Sequence, residues 1–299
     1  MEPVQVIRPD LVLVDWGPMT LTISAWAQGR PRPVMAAQAA RLALRCLATL
    51  AEFQGYLRVR VGRLPQGRPL PPVVAAAARA CRLVGPELTP LAAVAGAVAD
   101  QVADFALSLG ADRVVVNNGG DLALRLAPGQ RLSVGLRPPA PDGRAPASLL
   151  GRLRLDAASG VGGVASSGWQ GRSLSSGVAE IATAWAPSAA LADAAATALG
   201  NATRLECRAV QSKSADQMDA SCGLGRQPVT TAVGALSRRE RGQAFSGAQR
   251  AAQELHASGL IYGCLVLVQG DALVLDRSRR LSWQGREPAG RPLSAWQAA

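Results

Sequence analysis

Long alanine-rich stretches with apolar residues at helical spacing alternate along this chain with short apolar runs that end in turn residues. The short runs come largely in pairs joined by tight turns, as at Trp16-Gly17-Pro18 and at Gly270-Asp271. Strand pairs interspersed with long helices predict an α+β fold with mixed or antiparallel sheets packed with long helices. The predicted helices are 34–53, 73–83, 89–109, 188–202 and 239–257.

The predicted strands share apolar runs or alternation, bounded by turn residues. They are 11–14, 21–25, 114–116, 121–126, 132–136, 151–155, 229–236, 260–269 and 271–275. Thr89 is predicted to cap the helix that follows it. The Pro-, Gly- and Arg-rich segment 57–72 is predicted to be a loop or a frayed strand followed by a connector, and segment 138–147 is predicted to be an exposed loop. We expect one domain over residues 1–299, made of two closely packed subdomains at about 1–137 and 148–276, with a loose polar tail at 277–299.

The large positive charge of the chain is weak evidence about what it binds. The formal net charge is +11, but Lys213 is the only lysine, so nearly all positive charge is arginine. The arginines are scattered and no aromatic side chains are interleaved with them, which argues against a dedicated nucleic-acid binder. A pocket for a phosphorylated or acidic small molecule fits the charge as well.

The cysteines and the apolar stretches indicate the compartment. The five cysteines are widely spaced and contain no C-x-x-C pair, which is typical of reduced thiols. The first 16 residues show no charged-then-apolar signal pattern. The alanine-rich stretches 73–80 and 91–98 are shorter than the roughly 20 apolar residues of a membrane span. We therefore expect a cytoplasmic protein without a membrane span.

The first candidate site is Asn117-Asn118-Gly119-Gly120-Asp121, directly after the predicted buried strand 114–116. Adjacent glycines allow close approach of backbone amides to a ligand, and Asn and Asp add fixed donors and acceptors. The same residues are equally typical of a plain Asn-Gly turn between two strands. From the residues alone, both interpretations stand.

The second candidate is the Gly- and Ser-rich segment 160–172, which contains Ser167, Gly168, Trp169 and Arg172. Small residues with an arginine suit phosphate recognition through backbone amides and a guanidinium group. The alternative is a flexible surface loop. Trp169 argues against it, since a tryptophan has a large apolar area to bury and stacks well on a planar ring.

The third candidate pairs Asp193 with Thr197 in a predicted helix. A spacing of four places the carboxylate and the hydroxyl on one helix face, where two hard oxygen donors can hold Mg²⁺. The alternative is an acidic residue that is favoured near a helix start by the helix dipole. The only histidine, His256, lies near a helix end, and no P-loop is present. We therefore expect neither a Ser-His-Asp triad nor a His-ligated zinc site, and the missing P-loop argues against a Walker-type NTPase.

Taken together, four segments follow the order of motifs in the ApbE flavin-transferase superfamily, whose versions are LGGIAKG, V-N-x-G-G-D, S-G and A-D-A-x-A-T-A. The chain is identified as a member of that superfamily, and it most resembles the UPF0280 branch, as also indicated by Thr89-Pro90 and 259–261. The four segments are 91–97, 116–121, 167–168 and 192–198.

This resemblance implies an ApbE-like fold and an activity, Mg²⁺-dependent transfer of FMN from FAD to a threonine or serine of an acceptor protein. It implies that Asp193 and Thr197 are metal ligands with a backbone carbonyl near Ala95 as a third. Residues 117–121 would line a flavin-nucleotide pocket, together with the second candidate segment.

The chain departs from the family pattern at two places. Residues 171–180 replace the family's H-x-x-D-P-x-T-G segment, and Gly96 replaces the lysine of IAKG. We consider Glu180 and Asp121 as catalytic candidates in place of the missing His and Asp of that family segment. Three functions follow: a Mg²⁺-dependent enzyme of phosphoryl-type or other group transfer on a flavin or related nucleotide, a non-catalytic flavin- or nucleotide-binding module, and an enzyme acting on a pterin cofactor in one-carbon metabolism.

Overall fold

The structure is a computed structural model that describes residues 2–65, 67, 69–137, 149–171, 173–220, 222–277 and 279–283. It divides into two compact units, each discontinuous in sequence. The first comprises Met1–Arg131, Asp156–Ala165 and Trp185–Ala194, and the second comprises Leu132–Leu155, Ser166–Ala184 and Ala195–Ala299. The predicted loop 138–147 and Arg172 lie outside the described residues. The predicted subdomain division near residue 137 therefore stays a prediction.

The first half of the chain alternates strands and helices as the apolar patterns predict. Its elements are β1 Val4–Arg8, β2 Leu11–Trp16, β3 Met19–Ala27, β4 Arg30–Pro31, α1 Pro33–Glu52, α2 Gln54–Leu57, α3 Pro72–Val84, α4 Val94–Ser108, β5 Arg113–Asn118 and β6 Asp121–Leu126. Single-turn 3₁₀ helices cover Val61–Arg63 and Pro90–Ala93.

The second half supplies the remaining elements. They are β7 Arg131–Leu136, β8 Gly151–Asp156, β9 Gly163–Ser167, β10 Ile181–Ala186, α5 Ala189–Asn201, β11 Val210–Ser214, α6 Ala215–Met218, β12 Pro228–Val233, α7 Arg238–Ala257, β13 Gly263–Val268, β14 Asp271–Asp276 and β15 Leu281–Trp283. A 3₁₀ turn covers Ala157–Ser159.

The first unit is an antiparallel sheet covered by helices. Its strands lie in the order β1-β2-β3-β5-β6-β9, and each neighbouring pair is antiparallel. Helix α1 packs on β2 and β3, and α4 packs on β5 and β6 and against α1. Ala39, Ala99 and Ala103 are fully buried in this core, because their small side chains let the helices approach closely.

In the second unit, the end of β9 lies beside β10, and the sheet continues through β13 to β14. Helix α7 packs on β13. Strands β15, β8 and β7 form a second sheet, and β11 pairs with β12. Ser237 caps α7 through a reciprocal pair of hydrogen bonds with Glu240. The predicted α+β fold with antiparallel sheets and long helices is confirmed.

Several local predictions were wrong. Thr89 makes no side-chain cap; a 3₁₀ turn intervenes and α4 begins at Val94. The Gly- and Ser-rich segment contains β9, and the tail predicted to be loose contains β15, which pairs with β8. Strands β1, β10 and β11 were not predicted. Strand β10 is buried throughout, so it lacks the alternation that marks a half-exposed strand.

Two stretches, Pro33–Glu52 and Pro90–Ser108, are long and apolar enough to be candidates for a membrane span by length and composition. The sequence analysis considered only the shorter alanine-rich stretches 73–80 and 91–98, and it therefore did not expect these two candidates. Both stretches contribute buried residues to the core of the first unit, and core helices of soluble proteins pass the same test. They are therefore weak indications of a membrane span.

Candidate functional site

The candidate residues fall into two groups, one in each unit. The first unit holds Ala95, Asn117–Asp121 and Asp193, and the second holds Ser167–Trp169, Glu180 and Thr197.

The segment Asn117–Asp121 joins β5 and β6 through a two-residue turn. Gly119 and Gly120 both have positive φ, +66° and +116°, as a type I′ hairpin turn requires. The Asn117 Oδ1 atom accepts a hydrogen bond of 2.8 Å from the Gly120 N–H. The plain-turn interpretation thus accounts for Asn117, Gly119 and Gly120. The turn is exposed, and the space beside the Gly120 Cα is open.

Asn118 is not explained by the turn. Its side chain is buried, and its Nδ2 atom donates a 3.1 Å hydrogen bond to the carbonyl oxygen of Ala95. Ala95 lies in the first turn of α4. Asn118 therefore fixes the end of the β5–β6 hairpin against the start of that helix.

Asp193 approaches the same helix start from α5. Its Oδ2 atom accepts a 3.0 Å hydrogen bond from the backbone N–H of Gly96. No hydrogen bond reaches its Oδ1 atom from the residues that the structure describes. Burial raises the pKa of Asp193, and the negative charge of Asp121 raises this pKa further. Two carboxylates that repel each other beside a backbone carbonyl are the hard oxygen donors that suit a divalent cation.

Gly96 allows the helices carrying these groups to touch. A Cβ atom at position 96 would collide with the backbone carbonyl of Ala189 and with the backbone nitrogen of Ala190. A lysine at this position, as in the IAKG motif, is therefore incompatible with the observed packing of α5. The departure from the family pattern has a structural reason.

Asp100 is a buried acid that the sequence analysis missed. Its two oxygens accept hydrogen bonds from the N–H groups of Ala189 and Ala190, at 3.0 and 2.9 Å. Burial raises the pKa of Asp100, whereas these bonds and Arg125 lower it. Asp100 appears in the sequence only as an acidic residue in an apolar helix. No sequence pattern indicates that Asp100 contacts Ala189 and Ala190, which lie 89 and 90 residues further along the chain.

In the second unit, Ser167, Gly168 and Trp169 begin a tight turn. The Ser167 hydroxyl lies 3.2 Å from the Ser173 hydroxyl, and a Cβ atom at Gly168 would collide with the Glu180 carbonyl. Trp169 is half-buried, and its indole N–H is buried without a hydrogen-bond partner among the described residues. This segment is ordered by close backbone packing, unlike the flexible loop considered as the alternative.

Glu180 is hydrogen-bonded to the β13–β14 hairpin. Both of its carboxylate oxygens accept hydrogen bonds from the Gln269 N–H, at 3.0 and 2.9 Å, at the turn between β13 and β14. Burial raises the pKa of Glu180. The carboxylate thus has a structural partner, and its proposed role as acid or base stays a prediction.

Thr197 lies one turn after Asp193 along α5, in the part of the helix that belongs to the second unit, and is half-buried. His256 lies in the last turn of α7, and burial lowers its pKa. Across the described part of the chain, no three or more His, Cys, Asp or Glu side chains cluster in a way that could hold a metal ion. A metal at Asp193 would need backbone, hydroxyl or ligand oxygens to complete its coordination.

Comparison with known families decides the relationship of this chain. Residues 5–274 match the family described as "AbpE bacteria". The chain belongs to this family. The predicted resemblance to the ApbE superfamily is thereby confirmed for nearly the whole chain.

This AbpE-family chain is also similar to UPF0280 proteins. It is 41% identical over 133 residues to one from Methanothrix thermoacetophila, covering 44% of this chain and 52% of that protein. It is 35% identical over 122 residues to one from Methanosarcina acetivorans, covering 41% and 46%. The chain thus matches about half the length of these relatives. The flavinyl transferase ApbE of Pseudomonas stutzeri is 16% identical over 86% of this chain and 90% of that one, with a TM-score of 0.43.

Proposed function

We propose that this AbpE-family protein binds a flavin or related nucleotide together with Mg²⁺ at the Asp193 site of the first unit, and that it transfers a phosphoryl-type or other group. The observation that carries the proposal is the half-buried Asp193 carboxylate. One of its oxygens is held by Gly96, the other is free of hydrogen bonds from the described residues, and Asp121 repels it.

Family membership supports the same proposal. Three of the four motif segments implied by the ApbE resemblance meet at the start of α4 in the first unit, where Asn118 donates to the Ala95 carbonyl and Asp193 accepts from the Gly96 N–H. Asp193 and the Ala95 carbonyl would hold the cation, and Thr197 is the further ligand implied by the resemblance. The residues present fit a hard cation because all of these donors are oxygens.

The chain's own groups would act on a nucleotide as follows. The exposed Gly119-Gly120 turn has open space beside it, so a planar or phosphate group can approach its backbone. Asp121 follows that turn directly and is the candidate to hold or move a proton at its carboxylate. A cation bound at Asp193 would neutralise negative charge on a diphosphate during transfer.

A non-catalytic binding module is the second candidate. The absence of the family's His and Asp segment from residues 171–180 favours it, as does the engagement of both Glu180 oxygens with Gln269. This module would retain the Asp193 site and bind a nucleotide without turnover.

The purified 299-residue protein tests these proposals. We expect FAD with Mg²⁺ to raise the melting temperature more than either alone, because a ligand that binds only the folded state stabilises it. Asp193→Asn should abolish the Mg²⁺-dependent part of this shift. Asp216→Asn, at an exposed position of the second unit, is the control and should leave it unchanged.

Each outcome has a defined meaning. Cleavage of FAD, followed by the release or transfer of FMN, supports the enzyme, and stabilisation by FAD without cleavage supports the binding module. Stabilisation by pterins and not by FAD would replace the flavin with a pterin. A melting temperature unmoved by FAD, FMN and Mg²⁺ would show that the proposed function is wrong.

A further inference from the structure

Asp100 and Asp193 connect α4 and α5 in a reciprocal way. The Asp193 carboxylate accepts from the third N–H of α4, at Gly96, and the Asp100 carboxylate accepts from the first two N–H groups of α5, at Ala189 and Ala190. Gly96 and Asp100 are four residues apart on one helix, and Ala189 and Asp193 are four residues apart on the other. The two contacts therefore lie one turn apart and fix a single register between the helices.

Three glycines permit this register. A Cβ atom at Gly96 or at Gly163 would collide with the backbone of Ala189, and one at Gly162 would collide with the carbonyl of Pro187. The start of α5 is thus held against backbone on both α4 and β9. There is no room for a side chain between these glycines and the start of α5. A small shift of α5 would therefore bring its backbone into collision with α4 or β9.

Arg125 holds Asp100 in place from β6. Its Nη2 atom lies 3.0 Å from Asp100 Oδ1, and its Nε atom lies 2.6 Å from Asp104 Oδ1. The side chains of Arg125 and Asp100 are only 18% and 12% exposed, whereas that of Asp104 is 61% exposed. Asp104 therefore shares the arginine with Asp100, but in the described part of the chain it makes no hydrogen bond to α5.

We propose that Asp100, held by Arg125, is a positioning residue for Asp193. By fixing the first turn of α5 it sets where the Asp193 carboxylate lies relative to the Ala95 carbonyl and Asp121. This inference rests on the proposed function, since it concerns the cation affinity of that site. Outer partners that orient metal ligands commonly change metal affinity when they are removed.

Binding of Mn²⁺ to the 299-residue protein, measured by electron paramagnetic resonance well below its melting temperature, tests the inference. We expect Asp100→Asn to weaken Mn²⁺ binding by about 10- to 100-fold, with full occupancy still reached at higher Mn²⁺. The asparagine retains the size of the side chain but cannot accept from both N–H groups as a carboxylate does. Asp104→Asn is the matched control, and its affinity should stay within about 2-fold of the unsubstituted protein, as for an exposed site.

The outcomes separate this inference from the proposed function. Unsubstituted protein that binds no Mn²⁺ or Mg²⁺ overturns both the cation site and the positioning of its ligand. If that protein binds Mn²⁺ and Asp100→Asn binds it equally well, the positioning role alone is overturned. Should Asp100→Asn not fold, Arg125→Lys takes its place. A lysine cannot reproduce the planar guanidinium that contacts Asp100 and the Leu124 and Gly162 carbonyls. An affinity unchanged in Arg125→Lys overturns the positioning role in the same way.

Discussion

Asp100 and Asp193 each place a carboxylate at the N-terminus of the helix that carries the other. Such carboxylates satisfy N–H groups that have no partner within their own helix, and they interact favourably with its dipole. Neither α4 nor α5 has an acidic residue in its own first turn, so the acids come from the partner helix. The candidate cation ligand is therefore also part of the helix packing. Substitutions at Asp193 will change stability as well as binding.

The contact between Gly96 and Ala189 predicts a stability difference between two glycine substitutions. Gly96→Ala should destabilise the protein by about 1–3 kcal/mol, because the added methyl group meets backbone that cannot move without displacing α5. Gly242→Ala, in the exposed helix α7 with open space at its Cα, should stabilise it by roughly 0.5–1 kcal/mol. Urea unfolding measures both. Equal unfolding midpoints for the two variants would contradict the close packing at Gly96.

The hydrogen bond from Asn118 to the Ala95 carbonyl predicts that position 118 needs a donor. Asn118→Asp places a carboxylate oxygen against that carbonyl and near Asp193, so we expect a loss of about 1–3 kcal/mol in unfolding free energy. Asn201→Asp is the control, since the Asn201 Oδ1 atom only accepts, from the Ser176 N–H and two serine hydroxyls. That variant keeps its acceptor and should lose much less. A comparable loss in both variants would show that the donor at 118 is unimportant.

The sequence predicted the long helices because their alanine-rich segments have high helix propensity and apolar residues at helical spacing. It predicted the hairpin turns because glycine tolerates the positive φ angles that tight turns require. It also identified Asn118, Asp121 and Asp193, which the first unit brings together. It could not reveal the contact of Asp100 with Ala189, since a hydrogen bond between residues 89 positions apart depends on the completed fold. It also missed β10, whose uniformly buried residues carry no strand alternation.

The raised pKa of Glu180 predicts a pH dependence of stability. Because burial raises this pKa, the folded state binds the Glu180 proton more tightly than the unfolded state does. The resulting stabilisation is complete below the unfolded pKa of about 4.3 and is lost as the pH rises through the folded pKa. Glu180→Gln removes the titration and should gain stability relative to the unsubstituted protein between roughly pH 4 and 7.

Glu240 supplies a control of opposite sign for this measurement. Hydrogen bonds from the Ser237 hydroxyl and N–H lower the pKa of this exposed carboxyl, so its contribution is present above the unfolded pKa and is lost as the pH falls. Glu240→Gln should therefore lose stability relative to the unsubstituted protein at neutral pH and converge with it in acid. Urea midpoints across the pH range test both variants. Parallel pH curves for Glu180→Gln and the unsubstituted protein would show that Glu180 does not titrate differently on folding.

The five free cysteines divide into two classes by burial, and their reactivity tests the core packing. Burial raises the pKa of Cys46 to about 11 and of Cys264 to about 12, and raises that of Cys81 still further. These three thiols are buried and protonated at neutral pH, so they are poor nucleophiles. Cys207 and Cys222 are half-buried, and Cys207 lines an open pocket of about 320 Å³.

We therefore expect two thiols to react with a disulfide reagent in the native protein and five in the unfolded protein. Cys207→Ser and Cys222→Ser should each remove one fast-reacting thiol, whereas Cys81→Ser should leave the native count unchanged. Counting the released thiolate by absorbance over time distinguishes the classes. A third fast thiol in the native protein, removed by Cys81→Ser or by Cys46→Ser, would mean that α3 or α1 opens readily. The close packing of these helices in the core of the first unit would then be wrong.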